Sequence, residues 1–257
     1  MTTSLPSIAL ICLRTWRKTI RRPVALTFSF FQPVLWMLLF GFLFHRFEVG
    51  PEARGASYLD FLVPGISAMT VLFGASQSGI GLIRDLQTGF LSRLLRTPAG
   101  PATLLGGKIL ADVVRVQCQA LVIILIGRLV GATLHLDLST VFASLVVLGL
   151  FAIAMTCVSC VVALISRAQE SMAAFVHLVN MPLLFTSSAL VPARQMPDWL
   201  AAAARFNPLT LAVDACRGAL VFGDFSALPR AVAWLGLLAA VVFAVAVGVM
   251  GRAARET

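Results

Sequence analysis

Charge is scarce in this sequence. Of its 257 residues only 12% are charged, while 59% are hydrophobic, and the mean hydropathy is +0.94. A soluble domain of this length carries about 25% charged and about 45–50% apolar residues. The shortage excludes an ordinary soluble fold and points to a polytopic membrane protein. Acids are scarcer still, 11 Asp and Glu against 20 Lys and Arg. They fall in loops or near the ends of apolar runs. A proton-coupled carrier would show an acid near the membrane midplane, so this placement argues against an ordered carboxylate relay. The excess of cations is not gathered into a base-reading face, which sets nucleic acid aside as a partner.

Catalytic and metal-binding signatures are also missing. There is no nucleophile elbow, no HExxH and no pair of carboxylates within a run, so neither catalytic nor metal-ligating residues are assigned. No phosphate loop is present. The nearest string, Gly106-Gly107-Lys108-Ile109, lacks both the earlier glycine and the Ser or Thr after the lysine. The chain is therefore not expected to hydrolyse ATP alone. The five cysteines are odd in number and lie mostly in apolar runs, which excludes a disulfide framework. Cys157-Val-Ser-Cys160 has CxxC spacing but no His or carboxylate companion, and reads as helix packing. Lone His177 reads as a packed, hydrogen-bonded side chain.

What is present is a series of long apolar runs. Residues 5–22 alternate an apolar stripe (Ile8, Ile11, Cys12, Trp16, Ile20) with Arg14, Arg17, Lys18 and Arg21. That pattern predicts an interfacial helix, or equally an ordinary juxtamembrane anchor, and no secretory leader. Spans are predicted at about 24–44, 60–83, 109–130, 140–165, 171–191 and 230–250. Small residues Gly74, Ser78, Gly79 and Gly81 make span two thin and easily bent. Asp112 and Arg115 lie three apart and can pair at the start of span three. Gly127 and Gly131 have GxxxG spacing, with Arg128 between them.

Residues 84–108 form the sizeable polar break between spans two and three. Gly89 and Pro98 delimit a short segment with apolar Phe90, Leu91, Leu94 and Leu95 and cationic Arg93 and Arg96. It reads as a helix that fits a partner's groove, or one that lies on the lipid surface. Residues 99–108 read as the turn into span three. Residues 192–229 are too polar to span and too apolar for a loop. Two short amphipathic helices meeting at Asn207-Pro208, with a stop at Gly223, predict a re-entrant or interfacial hairpin. With six spans both ends lie on one side. Thirteen of the 20 Lys and Arg then fall on that side and seven on the other, where acids also number seven. The positive-inside rule makes the first side cytoplasmic: N-in, C-in.

The runs FFQPVLWMLLFG (30–41), YLDFLVPGI (58–66), the stretch 79–115 and MPDWLAAAARFNPLTLAVDACRG (196–218) together resemble the membrane subunit of type-2 ATP-binding-cassette (ABC) exporters, most closely the daunorubicin-resistance-like branch. The resemblance implies a single transmembrane domain over 1–257 in the cytoplasmic membrane of a bacterium. It implies two copies around a translocation path in membrane lipid, with two separate ATPase subunits beneath that hold ATP and Mg; no cofactor belongs to this chain. It maps a coupling helix onto 86–98, with Gly89, Arg93, Leu94 and Pro98 at matching positions. Asp85 stands where the family often has Glu. Spans two and five would line the path with Met69, Phe73, Gln77, Phe175, Val179 and Phe185. The hairpin, with Pro197, Trp199, Asn207 and Pro208, would help close the outer exit.

The expected function is thus an ABC exporter permease for an amphipathic drug or lipid-like molecule. Export of a polysaccharide or glycoconjugate, a stand-alone secondary transporter, and a non-transporting anchor or assembly factor stay open beside it. Co-purification of an ATPase subunit separates these classes.

Overall fold

The structure, a computed structural model, describes residues 23–44, 46, 55–89 and 100–255. The helix expected over 5–22 lies outside them. Among the described residues the fold is all-α, 84% helix without a strand. The helices are α1 (Pro23–Leu43), α2 (Tyr58–Ser76), α3 (Ser78–Gln87), α4 (Pro101–Val130), α5 (Leu138–Ser166), α6 (Gln169–Phe185), α7 (Asp198–Phe206), α8 (Pro208–Phe222) and α9 (Leu228–Arg255). Four stretches among them are long and apolar enough to cross a membrane: Tyr58–Gln87, Pro101–Val130, Leu138–Ser166 and Leu228–Arg252.

The helix ends follow from local chemistry. Ser57 and Asp60 form a reciprocal capping box that starts α2. Gly100 and Pro101 start α4, two turns earlier than the apolar run suggests, because proline at the first position needs no N–H partner. The 84–108 break is accordingly narrower than expected: 84–87 belong to α3 and 101–108 to α4. Gly131, at φ +119°, closes α4 in the left-handed region. Arg167, a non-glycine at φ +53°, ends α5, and α6 begins two residues later. Span five is shorter than its predicted 171–191. After Pro182, Thr186 and Ser187 turn their hydroxyls back onto the carbonyls of Pro182 and Leu184, both at 2.7 Å, which stops α6 at Phe185.

The core lies between α2 and α5. α2 is buried along nearly its whole length, packed against α1, α4, α5, α6 and α8. Close approach is made by glycine where a Cβ would collide. At Gly65 it would lie 2.0 Å from the Ala189 carbonyl oxygen, and at Gly127 2.5 Å from Val63. So one glycine of the GxxxG pair packs helices and the other caps one. Buried Cys157 and Cys160 belong to this core. α9 covers α5 and turns Trp234, Leu237, Val241 and Val245 outward.

The two short helices fall where the sequence places them, with Asn207 accepting from the Leu209 N–H at 2.8 Å and Gly223 at φ +62°. They differ in burial. α8 is sunk among α2, α5 and α9, whereas α7 exposes Trp199 and Phe206. An amphipathic surface role therefore describes α7 and not α8.

Candidate coupling and gating sites

Hydrogen bonds define two ends of the bundle. At one, the start of α2 meets the segment after α6, the loop after α4, and α8. Tyr58 donates to the Leu190 carbonyl at 3.0 Å, Asp60 accepts from the backbone and hydroxyl of Thr133, and the His135 N–H donates to Leu220 at 2.7 Å. At the other, Gln169 donates to Gln87 at 3.0 Å, beside the start of the 88–100 connection.

The hairpin end is organised by Arg217 of α8. Its guanidinium donates to Ser188 (2.9 Å), to the Phe61 carbonyl (3.3 Å) and to Asp214 (3.1 Å), and its Cζ lies 3.6 Å from the Phe61 ring centre. Asp214 also accepts from the Ser188 hydroxyl at 2.7 Å. The buried cation is thereby paired and its fork of donors used. This group locks α8 to α2 and to the segment leaving α6. The topology count sets Arg217 among outward-facing charges; the fold buries it. The Asp214–Arg217 spacing in an apolar helix is the signal that finds the pair, as it does for Asp112 and Arg115.

The gate residues divide. Asn207 is buried and donates to the Leu183 carbonyl (2.7 Å) and the Thr186 hydroxyl (2.9 Å), pinning the α7–α8 corner to the end of α6. Pro208 is half-buried at the first turn of α8, while Pro197, just before α7, and Trp199 on it are exposed.

Between the ends, α2 breaks at Gln77. Gln77 N–H still reaches Phe73, but Ile80 N–H reaches only Gln77, a tighter turn. Neighbouring helices satisfy the freed groups. Arg115 of α4 donates to the Gly74 carbonyl at 2.9 Å. Ser159 of α5 donates to the Ser76 carbonyl and accepts from the Gly79 N–H at 2.9 Å. Ser76 in turn donates to Asn180 of α6 at 2.9 Å. Broken backbone inside a stretch long and apolar enough to span is tolerated only when so repaired. The bend expected from the small residues of span two is thus present, and its cause is specific.

Below the break lies a buried charge cluster. Lys108 donates to Asp112 at 2.7 Å, and Asp112 lies 3.8 Å from Arg115. The expected Asp112–Arg115 pair is there, with Lys108 as the nearer partner. Asp85, half-buried in the last turn of α3, is within electrostatic reach of Lys108. Gly89 follows at φ +64°, in the left-handed region. Arg93, Leu94 and Pro98 lie outside the described residues.

The path candidates differ in burial. Met69 is buried inside the core. Phe73, Phe175 and Val179 are half-buried, and Gln77 and Phe185 are exposed. α2 and α6 do touch, through Ser76 and Asn180. Phe185 lines a pocket of about 200 Å³ with Phe40, Phe44, Tyr58 and Met196 at the hairpin end.

Known proteins resemble this chain over most of its length. Residues 6–221 match the family described as ABC-2 type transporter. The chain is 33% identical over 215 residues to the transport permease ycf38 of Pyropia yezoensis, covering 82% of this chain and 71% of that one. It is 26% identical over 196 residues to the daunorubicin resistance ABC transporter permease protein DrrB1 of Streptomyces coeruleorubidus, covering 76% and 68%. To the doxorubicin resistance ABC transporter permease protein DrrC of Mycobacterium tuberculosis it is 30% identical over 162 residues, covering 63% and 58%. An all-helical, strongly apolar bundle and a family match across most of its length converge: the chain belongs to the ABC-2 type transporter family of membrane-embedded permeases.

Proposed function

We propose that the chain is the transmembrane subunit of an ATP-driven exporter that moves an amphipathic, drug- or lipid-like molecule across the cytoplasmic membrane. The observation that carries this is the family match over 6–221, joined to relatives whose names specify drug resistance. The absence of a phosphate loop from the sequence supports a separate ATPase. ATP and Mg would be held there, with two such subunits serving two copies of this chain. The enzyme chemistry is then the partner's.

Six crossings fit this reading: the four long spans plus α1 and α6, with both ends cytoplasmic. The 88–100 connection and the short α5–α6 link then face the ATPase, and α7–α8 face outward as a hairpin. Asp85, Gly89, Arg93, Leu94 and Pro98 would receive the ATPase. Phe73, Gln77, Phe175, Val179 and Phe185 would line the path, with Met69 backing that face from the core. Pro197, Trp199, Asn207 and Pro208 would shape the outer gate. Apolar and aromatic side chains suit adaptable contact with an amphipathic cargo.

The test is reconstitution with the ABC ATPase subunit that co-purifies with it, using doxorubicin as a fluorescent probe in inside-out proteoliposomes. ATP-dependent uptake, abolished by ADP, is expected. Equal uptake with and without ATP, and no ATPase accompanying the chain, would overturn the reading.

A further inference from the structure

The break in the α2–α3 arm and the α4 charge cluster beside it form one connected chain of contacts. We infer that Lys108, Asp112 and Arg115 are coupling residues, which carry a displacement of the last turn of α3, at Asp85, into the break and so set the tilt of α3 against α2. The inference rests on the proposed partnership with an ATPase subunit.

The connectivity is explicit. Asp85, two residues before the end of α3, faces Lys108 electrostatically. Lys108 holds Asp112 at 2.7 Å, and Asp112 neighbours Arg115 at 3.8 Å. Arg115 reaches across to the Gly74 carbonyl at 2.9 Å, on the α2 side of the break. Asp85 and Gly74 thus lie on opposite arms of the broken helix; the α4 face that bonds the Gly74 carbonyl also carries Lys108, within electrostatic reach of Asp85. All three α4 side chains are largely buried, at 12%, 8% and 20% exposure. Screening by water is weak there, so a displaced charge is felt by its neighbours.

A pathway needs an element with two arrangements, and the break supplies one. Its backbone is held by side chains of three other helices, Arg115, Ser159 and (through Ser76) Asn180, and not by its own ladder. Such bonds can be exchanged without unfolding a helix. Five buried side-chain polar atoms among the described residues have no hydrogen-bond partner in this arrangement, and two belong to the break and its neighbour: Ser78 Oγ, and Nδ2 of Asn180, the residue that Ser76 bonds. Buried polar atoms left bare are costly. A second setting of the break, in which Ser78 and Asn180 find partners, would recover that cost. A bend serving only packing would have no need of a buried charge cluster reaching to the last turn of α3.

The experiment uses the full chain in complex with its ATPase. Fluorophores are introduced as unnatural amino acids at Arg84 on α3 and Leu129 on α4, both exposed. Their separation is read without nucleotide and with ATP plus vanadate. The wild-type complex is expected to change separation on trapping. Arg115→Gln and Asp112→Asn are expected to lose most of that change, and to raise ATP hydrolysed per doxorubicin moved about fivefold, with ATPase capture intact. Arg115→Lys, which keeps one donor for Gly74, is expected to restore at least half. A separation that does not change in wild type, or changes equally in the variants, would overturn the inference. Failure to capture any ATPase would instead defeat the partnership itself. If Arg115→Gln fails to accumulate, Asp112→Asn and Arg115→Lys carry the comparison.

Discussion

Single atoms decide much of this fold. A Cβ on Gly79 would sit 2.6 Å from both the Ser159 carbonyl oxygen and Met172 Cε. Gly79→Ala must therefore push α3 off α5, at a cost of about 1–3 kcal/mol. A fall in the melting temperature of the detergent-solubilised protein is expected, with Gly106→Ala, which meets nothing within 4 Å, as the unaffected control. Arg217 is the opposite case, a large side chain whose loss leaves bare groups. Arg217→Ala would strip the Ser188 and Phe61 carbonyls of their donor and cost about 3 kcal/mol. Thermal unfolding checks this, and Arg217→Lys should recover only part, since one ammonium cannot reproduce the fork. Neither residue was legible as critical. Gly79 stood among several small residues of span two, and only the position of Ser159 on another helix singles it out. Arg217 enters the sequence reading only as one of seven cations on the outer side, and such a count cannot tell a paired buried guanidinium from a solvated one.

Helix ends, by contrast, could be read closely where the chemistry is local. Asn207-Pro208 and Gly223 marked the limits of α8, since a cap, a proline and a left-handed glycine act within a few residues. Pro101 at the start of α4 was misjudged, because hydropathy begins where the apolar run begins and not where the helix does. What the residues around Asn207 could not show is the reach of its side chain. The amide binds the end of α6 as well as capping α8. Asn207→Ala is therefore expected to cost about 1–2 kcal/mol, more than loss of a solvent-facing cap, and to free the α7–α8 corner. Faster proteolysis between α6 and α8, with α2–α5 still protected, would report it. Equal protection at both sites would refute it.

At the scale of the whole molecule, the sequence foretold a helical membrane bundle. It did so because composition and the lengths of apolar runs are properties of the entire chain. The internal polar wiring was not legible, since Arg115 to Gly74 and Ser159 to Gly79 join positions 41 and 80 residues apart. The proposed assembly also makes a prediction at this scale. Leu94→Asp places a charge on the apolar side of the segment proposed to enter the ATPase, and burying a carboxylate there is costly. Capture of the ATPase by the affinity-purified permease should fall about tenfold or more, as a loss of about 1.4 kcal/mol produces, while the permease itself stays folded. Undiminished capture would place the docking surface elsewhere.

The two-residue link between α5 and α6 has a mechanical consequence. With Arg167 already in the left-handed region and only Ala168 beside it, the joined ends have almost no slack. α6 cannot slide along α5; it can only swing about that joint, as a lever about a fulcrum. A helix of 17 residues is about 25 Å long. A swing of about 10° therefore displaces its far end by about 4 Å while the joint stays still. Any such swing is felt most at Phe185, so the Asn207 bonds to Leu183 and Thr186 are the contacts that would have to travel with it or give way.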